Sequence, residues 1–315
     1  MSDRTDPARP DRLRSGASTL AATARRLTTR PRPGTPYLAG APLLIAHRGG
    51  SALAPENTTT SFRQALDWWG ADVLEIDVQP TCDGEVVVFH DSTLDRTTDG
   101  RGPVAAHSLA QIQALDAGYH FTPDGQSHPY RGRGVTVPTL GEVLASFPGV
   151  RVNVEIKDGR AQERVREVVD AADAAQRVLI AAGRRANRSR FGDYRGAVSA
   201  SGEELRSFYI AHRLHAAALH RCDVDALQMP ERHGDRQVLS PRLVRDAHAK
   251  NIAVHVWTID DAAEMRRLLD WGVDGIVTDR PDRLAQVLHE RIGRPVPPGP
   301  PAAERAPFLE RLLLA

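Results

Sequence analysis

The chain has 315 residues, 41% of them hydrophobic, and its 41 lysines and arginines against 40 aspartates and glutamates give a formal net charge of +1. That is enough apolar content for a large core, and a single barrel domain is ordinary at this length. The near balance leaves no electrostatic footprint for nucleic acid. Cys82 and Cys222 are too few for a disulfide framework, so a reducing cytoplasm is the default expectation, and neither a membrane-length apolar run nor a signal peptide's apolar segment is found.

Residues 1–40 carry eight arginines against three aspartates among Pro, Ser and Thr, and read as a disordered basic tail. Leu20 to Leu27 could form a short helix there. Its apolar face is small, so a weak contact with a membrane surface is the most it implies. From Leu43 the pattern becomes strand, helix, strand. Leu43-Leu44-Ile45-Ala46 runs into His47-Arg48-Gly49, Val73-Leu74 into Glu75-Ile76-Asp77, and Val86-Val87-Val88-Phe89 into His90-Asp91. Between the first two, Asn57 is a candidate cap for a helix through Trp69, stopped by Gly70. In parallel α/β folds the loops at strand C-termini build the active site, so polar groups repeated there point to one. Strand side chains alternate, which puts Glu75 and Asp77 on one face. Two carboxylates projecting together into a barrel would need neutralising, most simply by a cation; an exposed strand face is the alternative. Gln79 to Gly84 is too short for a crossover helix, so Glu85 to His90 is either a stripped βα unit or a hairpin return.

Residues 92–137 are mostly polar and Gly-rich with a short helical stretch near Ser108 to Leu115, and read as an insertion over the site. Tyr119, Phe121 and Tyr130 could line a substrate entrance or simply pack within the loop. Thr139-Leu140-Gly141-Glu142 is a capping box opening the next helix. Arg151 to Lys157 follows as a strand with Glu155 and Lys157 on one face. Helices are expected over Ala161 to Ala175, Glu203 to Leu219, Ser240 to Lys250, Asp260 to Trp271 and Pro281 to Glu290. Strands are expected at Val178 to Ala181, Ala197 to Ala200, Val224 to Gln228, Ile252 to Trp257 and Gly275 to Thr278. This makes nine strand candidates for the eight places of a (β/α)₈ barrel, so one is peripheral. Asp67 to Val73 and Asp270 to Ile276 echo each other as helix end, glycine stop and strand start. The barrel is placed at 41–290. Residues 291–315 read as a Pro-rich tail with a possible short helix from Ala306.

Taken together, His47-Arg48-Gly49, Pro55-Glu56-Asn57-Thr58, Glu75-x-Asp77, Val88-Phe89-His90-Asp91, Leu94-x-Arg96-Thr97-Thr98, Glu155-Ile156-Lys157, Val256-Trp257-Thr258 and Asp274-Gly275-Ile276-Val277-Thr278-Asp279 resemble the glycerophosphodiester phosphodiesterases, over roughly Leu43 to Glu290. The resemblance implies a TIM barrel that uses a divalent metal to split glycerophosphodiesters into glycerol 3-phosphate and an alcohol. It implies Glu75, Asp77 and Glu155 as metal ligands, and an all-carboxylate set suits Mg²⁺ or Ca²⁺. His47 and His90 match the family's acid and base pair, with either assignment open. The attacking group could be water or, first, a glycerol hydroxyl. Arg48 and Lys157 would hold the phosphate and Trp257 would pack on the glycerol carbons. Glu56 is open between metal shell and structural hydrogen bonder. The other ten histidines read as surface or packing residues. The stretch from Thr98 to Pro138 departs from the family pattern and bears on the leaving alcohol. Two alternatives are a phosphodiesterase of lysophospholipids, which needs an apolar channel near Tyr119, Phe121 and Tyr130, and a barrel that binds phosphorylated ligands without turnover.

Overall fold

The computed structural model describes residues 35–302 and 304. The Leu20 to Leu27 and Ala306 to Ala315 stretches lie outside the described residues.

The barrel strands are β1 (Leu43–His47), β2 (Val73–Pro80), β4 (Arg151–Ile156), β5 (Val178–Ala181), β6 (Ala197–Val198), β7 (Ala226–Pro230), β10 (Ala253–Trp257) and β11 (Gly275–Thr278). All eight run parallel in the order β6-β5-β4-β2-β1-β11-β10-β7, and a parallel bridge from Ser199 to Ala226 brings the two ends together. The intervening helices are α1 (Thr59–Asp67), α3 (Leu140–Ser146), α4 (Gln162–Ala171), α5 (Gly202–Arg213), α6 (Pro241–His248), α7 (Ala262–Asp270) and α8 (Pro281–Ile292), with α2 (Leu109–Gln113) in the insertion. Two-residue strands β8 (Arg232–His233) and β9 (Arg236–Gln237) form a surface hairpin that the pattern did not reveal. No helix among the described residues is long and apolar enough to cross a membrane.

The ninth strand candidate is β3 (Val86–Val88), which folds back antiparallel on β2 with Val78 opposite Val88 and Pro80 opposite Val86. The hairpin return is therefore the observed one of the two open readings. It also explains why β2 continues past the acidic pair to Pro80, so that Glu75 and Asp77 sit within the strand rather than at its end. The insertion is built rather than draped. Val87, Phe89, Leu94, Val104, Ile112, Val135 and Val137 form a small core on the outer side of β3. Tyr130 joins it and its hydroxyl accepts from Gln64 Nε2 at 2.9 Å.

Three aspartates that precede strands repeat one device. Asp72, Asp225 and Asp274 accept the amides of Leu44, Val198 and Val254 on the neighbouring strand at 2.7–2.8 Å. The echo between Asp67–Val73 and Asp270–Ile276 thus reflects a shared strand-start geometry, each preceded by a left-handed glycine, Gly70 or Gly272, that ends the helix. At the opposite end, Pro36–Leu38 form a turn whose Tyr37 is fully buried among Leu43, Ile45, Val73 and Val277. Arg151 Nη1 donates to Tyr37 O and Ala39 O. Packed chain therefore starts by residue 35, ahead of the boundary expected at 41, because this plug closes the barrel floor. On the C-terminal side α8 runs on to Ile292, and Arg294 reaches Asp72 at 2.7 Å, so part of the Pro-rich segment packs against the body.

Candidate active site

The site starts from the sharp turn after β1. Gly49 N donates to Ala46 O at 3.1 Å and Gly50 N to His47 O at 2.8 Å. Arg48 and Gly49 hold φ of 50° and 86°. A Cβ on Gly49 would lie 2.4 Å from Ser61 Oγ, so glycine alone fits. This turn aims the Arg48 amide at Glu75 Oε2, 3.0 Å away.

Adjacent strands then set the acidic groups side by side. The register places His47 beside Glu75 and Asp77 beside Glu155. Ligand oxygens of Glu75, Asp77 and Glu155 all lie within 4.8 Å of one another. Glu75 and Asp77 are buried, while Glu155 is partly open. Lys157 Nζ lies 2.9 Å from both Asp77 Oδ1 and Glu155 Oε2, and Arg48 Nε 3.2 Å from Asp77 Oδ2. Burial first, then the Asp77 charge, pushes the Glu75 carboxyl well above the usual range. Burial opposes ionisation of Asp77 as well, but Lys157 and Arg48 outweigh it and hold that carboxyl below its ordinary value. The set fits a hard divalent cation. It is all oxygen, it concentrates negative charge, and buried Asp77 Oδ1 has an ion-pair neighbour but no hydrogen bond of acceptable geometry.

Each candidate histidine is held by a carboxylate. His47 Nδ1 and Asp279 Oδ1 are 2.6 Å apart, and the same oxygen accepts from Ser51 Oγ at 2.5 Å. Asp279 is itself fixed by its amide, which donates to Asp260 Oδ1 at 2.8 Å. His90 Nδ1 and Asp91 Oδ1 are likewise 2.6 Å apart. A carboxylate at Nδ1 fixes the ring and leaves Nε2 for the cavity that both rings line. Burial works to lower the His47 pKa, but the Asp279 hydrogen bond and the Glu75 charge overcome it and raise it to about 9. A raised histidine stabilises the fold fully below its unfolded value of 6.5 and loses that contribution as pH climbs through about 9. In chelator, the stability deficit of His47→Gln relative to wild type should therefore shrink over that window, as read from urea midpoints. A constant deficit would contradict it.

His47, Arg48, Glu75, His90, Lys157 and Trp257 line one cavity of about 440 Å³ at a single mouth of the barrel, along with Glu155. Asp77 lies 1% exposed against this group. All eight residues expected at the site are brought together. Trp257, 44% exposed at the end of β10, lines the cavity and is not part of the core.

Other residues were not legible as site groups. Asn57 was expected to cap α1, but it has φ 57°, and Thr58 is the cap, with its side chain accepting from Ser61 N. Asn57 instead donates from Nδ2 to Asp77 Oδ2 at 3.0 Å, steadying a carboxylate of the cluster. Glu56 is outside the acidic cluster and accepts from Arg48 and Arg96. Asp91 and Asp279 stand in the quoted motifs; Asp91 is the sequence neighbour of the ring it holds, whereas the contact of Asp279 with His47 depends on the tertiary fold.

The family profile described as the glycerophosphoryl diester phosphodiesterase family matches residues 47–283. A glycerophosphodiester phosphodiesterase of Caldanaerobacter subterraneus subsp. tengcongensis is 34% identical over 262 residues, covering 79% of this chain and 98% of that protein. A probable glycerophosphodiester phosphodiesterase 2 of Mycobacterium tuberculosis is 34% identical over 260 residues, covering 80% and 92%. Among solved structures, an Oleispira antarctica phosphodiesterase in complex with the product sn-glycerol-3-phosphate superposes with a TM-score of 0.63 at 28% identity, covering 79% of this chain and 97% of that one. With its barrel, its clustered carboxylates and its paired histidines in the positions the motifs occupy, this chain belongs to the glycerophosphoryl diester phosphodiesterase family, a family of phosphoric diester hydrolases.

Proposed function

We propose that the chain hydrolyses glycerophosphodiesters to sn-glycerol 3-phosphate and an alcohol, with His47 and His90 as the proton-transfer pair and with dependence on a divalent cation, Mg²⁺ or Ca²⁺. The observation that carries this reading is the convergence of three carboxylates and two carboxylate-held imidazoles on one cavity. Support for the substrate class comes from the relatives' names and from the product bound in the Oleispira enzyme.

Glu75, Asp77 and Glu155 would hold the cation, which when bound supplies charge neutralisation for the phosphate oxygens. Arg48 and Lys157 add positive charge on the same side, Arg by a planar fork and Lys as a point charge. One imidazole takes the proton from the attacking oxygen, either of water directly or of a glycerol hydroxyl whose cyclic phosphate product water then opens to glycerol 3-phosphate. The other donates a proton to the leaving alkoxide, and each ring is kept in place by its own aspartate. Trp257 offers an apolar face to the glycerol carbons.

An acyl-chain channel finds less support. The cavity beside the insertion, about 580 Å³, sets Phe121 and Leu53 among Arg96, Arg280, Arg283 and Asp260, while Tyr130 is committed to packing. The binding-only reading would be expected to lack a ligand or a histidine, and all five groups are in place.

Purified protein supplied with Mg²⁺ or Ca²⁺ should release glycerol 3-phosphate from at least one of glycerophosphocholine, glycerophosphoethanolamine and glycerophosphoglycerol. Silence on all three would remove the reading for those substrates. Asn57→Ala should weaken cation affinity by about 10–100-fold, because it removes the amide that orients Asp77. Calorimetric titration measures this, and an unchanged affinity would detach Asn57 from the site.

A further inference from the structure

Arg96 ties the site's two halves together. Its Nη1 donates to Glu56 Oε2 at 2.7 Å and its Nη2 to Glu56 Oε1 at 2.8 Å. On the other edge Nε donates to Asp91 Oδ2 at 2.6 Å and Nη2 to Asp91 Oδ1 at 3.1 Å. Each of those carboxylates holds a group that lines the cavity: Asp91 holds His90 Nδ1 at 2.6 Å, and Glu56 holds Arg48 Nη1 at 2.9 Å. His90 follows the β2–β3 hairpin, whereas Arg48 sits on the turn after β1, so two separate chain segments are referenced to one planar guanidinium.

We propose that Arg96 is a positioning residue that sets the orientation of His90 and Arg48 simultaneously through Asp91 and Glu56. The inference rests on the proposed phosphodiesterase reading for its effect on turnover. The backbone around Arg96 is built for the task. Leu94 is fully buried in the insertion's core, and Thr98 returns a hydroxyl hydrogen bond to Leu94 O at 2.8 Å. Arg96 itself is 48% exposed, and ion pairs at such exposure contribute little to stability. The geometry is also specific to arginine. A guanidinium presents five donors in a fixed plane and can serve two carboxylates bidentately, which a lysine ammonium cannot.

Arg96→Gln and Arg96→Lys are tested on the full chain with cation present. Both should lower kcat by about 100-fold, the scale of a small misplacement of a catalytic group, and raise KM as Arg48 loosens. The thermal midpoint and cation affinity should stay near wild type. Low millimolar guanidinium should restore part of the activity of Arg96→Ala, and ammonium should not. Combining Arg96→Gln with Asp91→Asn should lower kcat no further than Asp91→Asn alone, since that part of the effect acts on the same ring, while KM should still rise through the Glu56–Arg48 arm. A readout independent of substrate is the downfield imidazole N–H proton signal of the His90–Asp91 hydrogen bond, identified by its absence in His90→Gln. It should be lost or broadened in Arg96→Gln. Wild-type kcat in Arg96→Lys and Arg96→Gln, or an unaltered His90 signal, would overturn the inference. If wild-type protein turns over none of the glycerophosphodiesters, the functional reading fails, and the proton signal still decides the positioning role on its own.

Discussion

Replacing His47 by glutamine is expected to lower kcat about 1,000-fold while leaving cation binding intact, and His90→Gln should do the same. Positioned proton transfer is worth about 10²–10⁴ in rate, and glutamine fills similar space without a ring nitrogen that can take up and release a proton. Neither imidazole belongs to the acidic cluster, so its loss leaves all three candidate ligands in place. Each ring is oriented by one short contact to a carboxylate, Asp279 for His47 and Asp91 for His90. Asp279→Asn should consequently lose less than His47→Gln, about 10–100-fold, because the ring stays present but loosely held. Steady-state rates with saturating substrate, and calorimetric cation titrations on the same preparations, separate the two effects. Turnover within about tenfold of wild type in either histidine variant would remove that residue from the chemistry.

Glu75→Gln is expected to abolish cation binding and turnover together, yet to make the cation-free fold more stable by about 1 kcal/mol. The buried cluster crowds like charges within 4.8 Å, and burial with the Asp77 charge already disfavours ionised Glu75. An amide at that position keeps an oxygen for the Arg48 amide, which reaches Glu75 Oε2 at 3.0 Å, and removes one of the opposed charges. A site that is strained for binding and relieved by neutralisation is what a cation-binding role requires. Equal or lower stability in chelator, or retained cation affinity, would count against the assignment. Urea denaturation with and without cation reads both.

Much of this was legible in one sequence because the fold places chemistry at strand positions that follow period-two alternation. Glu75 and Asp77 share a face for that reason, and the adjacent register brings Glu155 beside them. His47 and Trp257 were visible as the last residues of apolar runs, and both end their strands in the structure. The Thr139 capping box was legible because its partners are three residues apart, and it forms as expected.

What stayed hidden depends on long-range contact. Asn57 precedes a helix in the manner of a cap, but a left-handed backbone at 57° turns its amide toward Asp77, 20 residues away. The pairing of Asp279 with His47 spans 232 residues. The choice between hairpin and crossover for β3 was undecidable from Gln79 to Gly84 alone, since pairing with β2 settles it. Tyr37 lay in a segment whose composition resembles disorder, and it is fixed by the apolar barrel floor it fills and by Arg151, 114 residues away.

The central claim is that the acidic cluster and the two imidazoles act as one cation-dependent hydrolytic site. Stripping the protein with chelator, restoring Mg²⁺ or Ca²⁺ in steps and following glycerol 3-phosphate release from glycerophosphodiesters tests it most directly. The account predicts no release before cation is added, a rise that saturates near one cation per chain, and no rise in Glu75→Gln. Full turnover by the stripped protein, or a normal rise in Glu75→Gln, would contradict it.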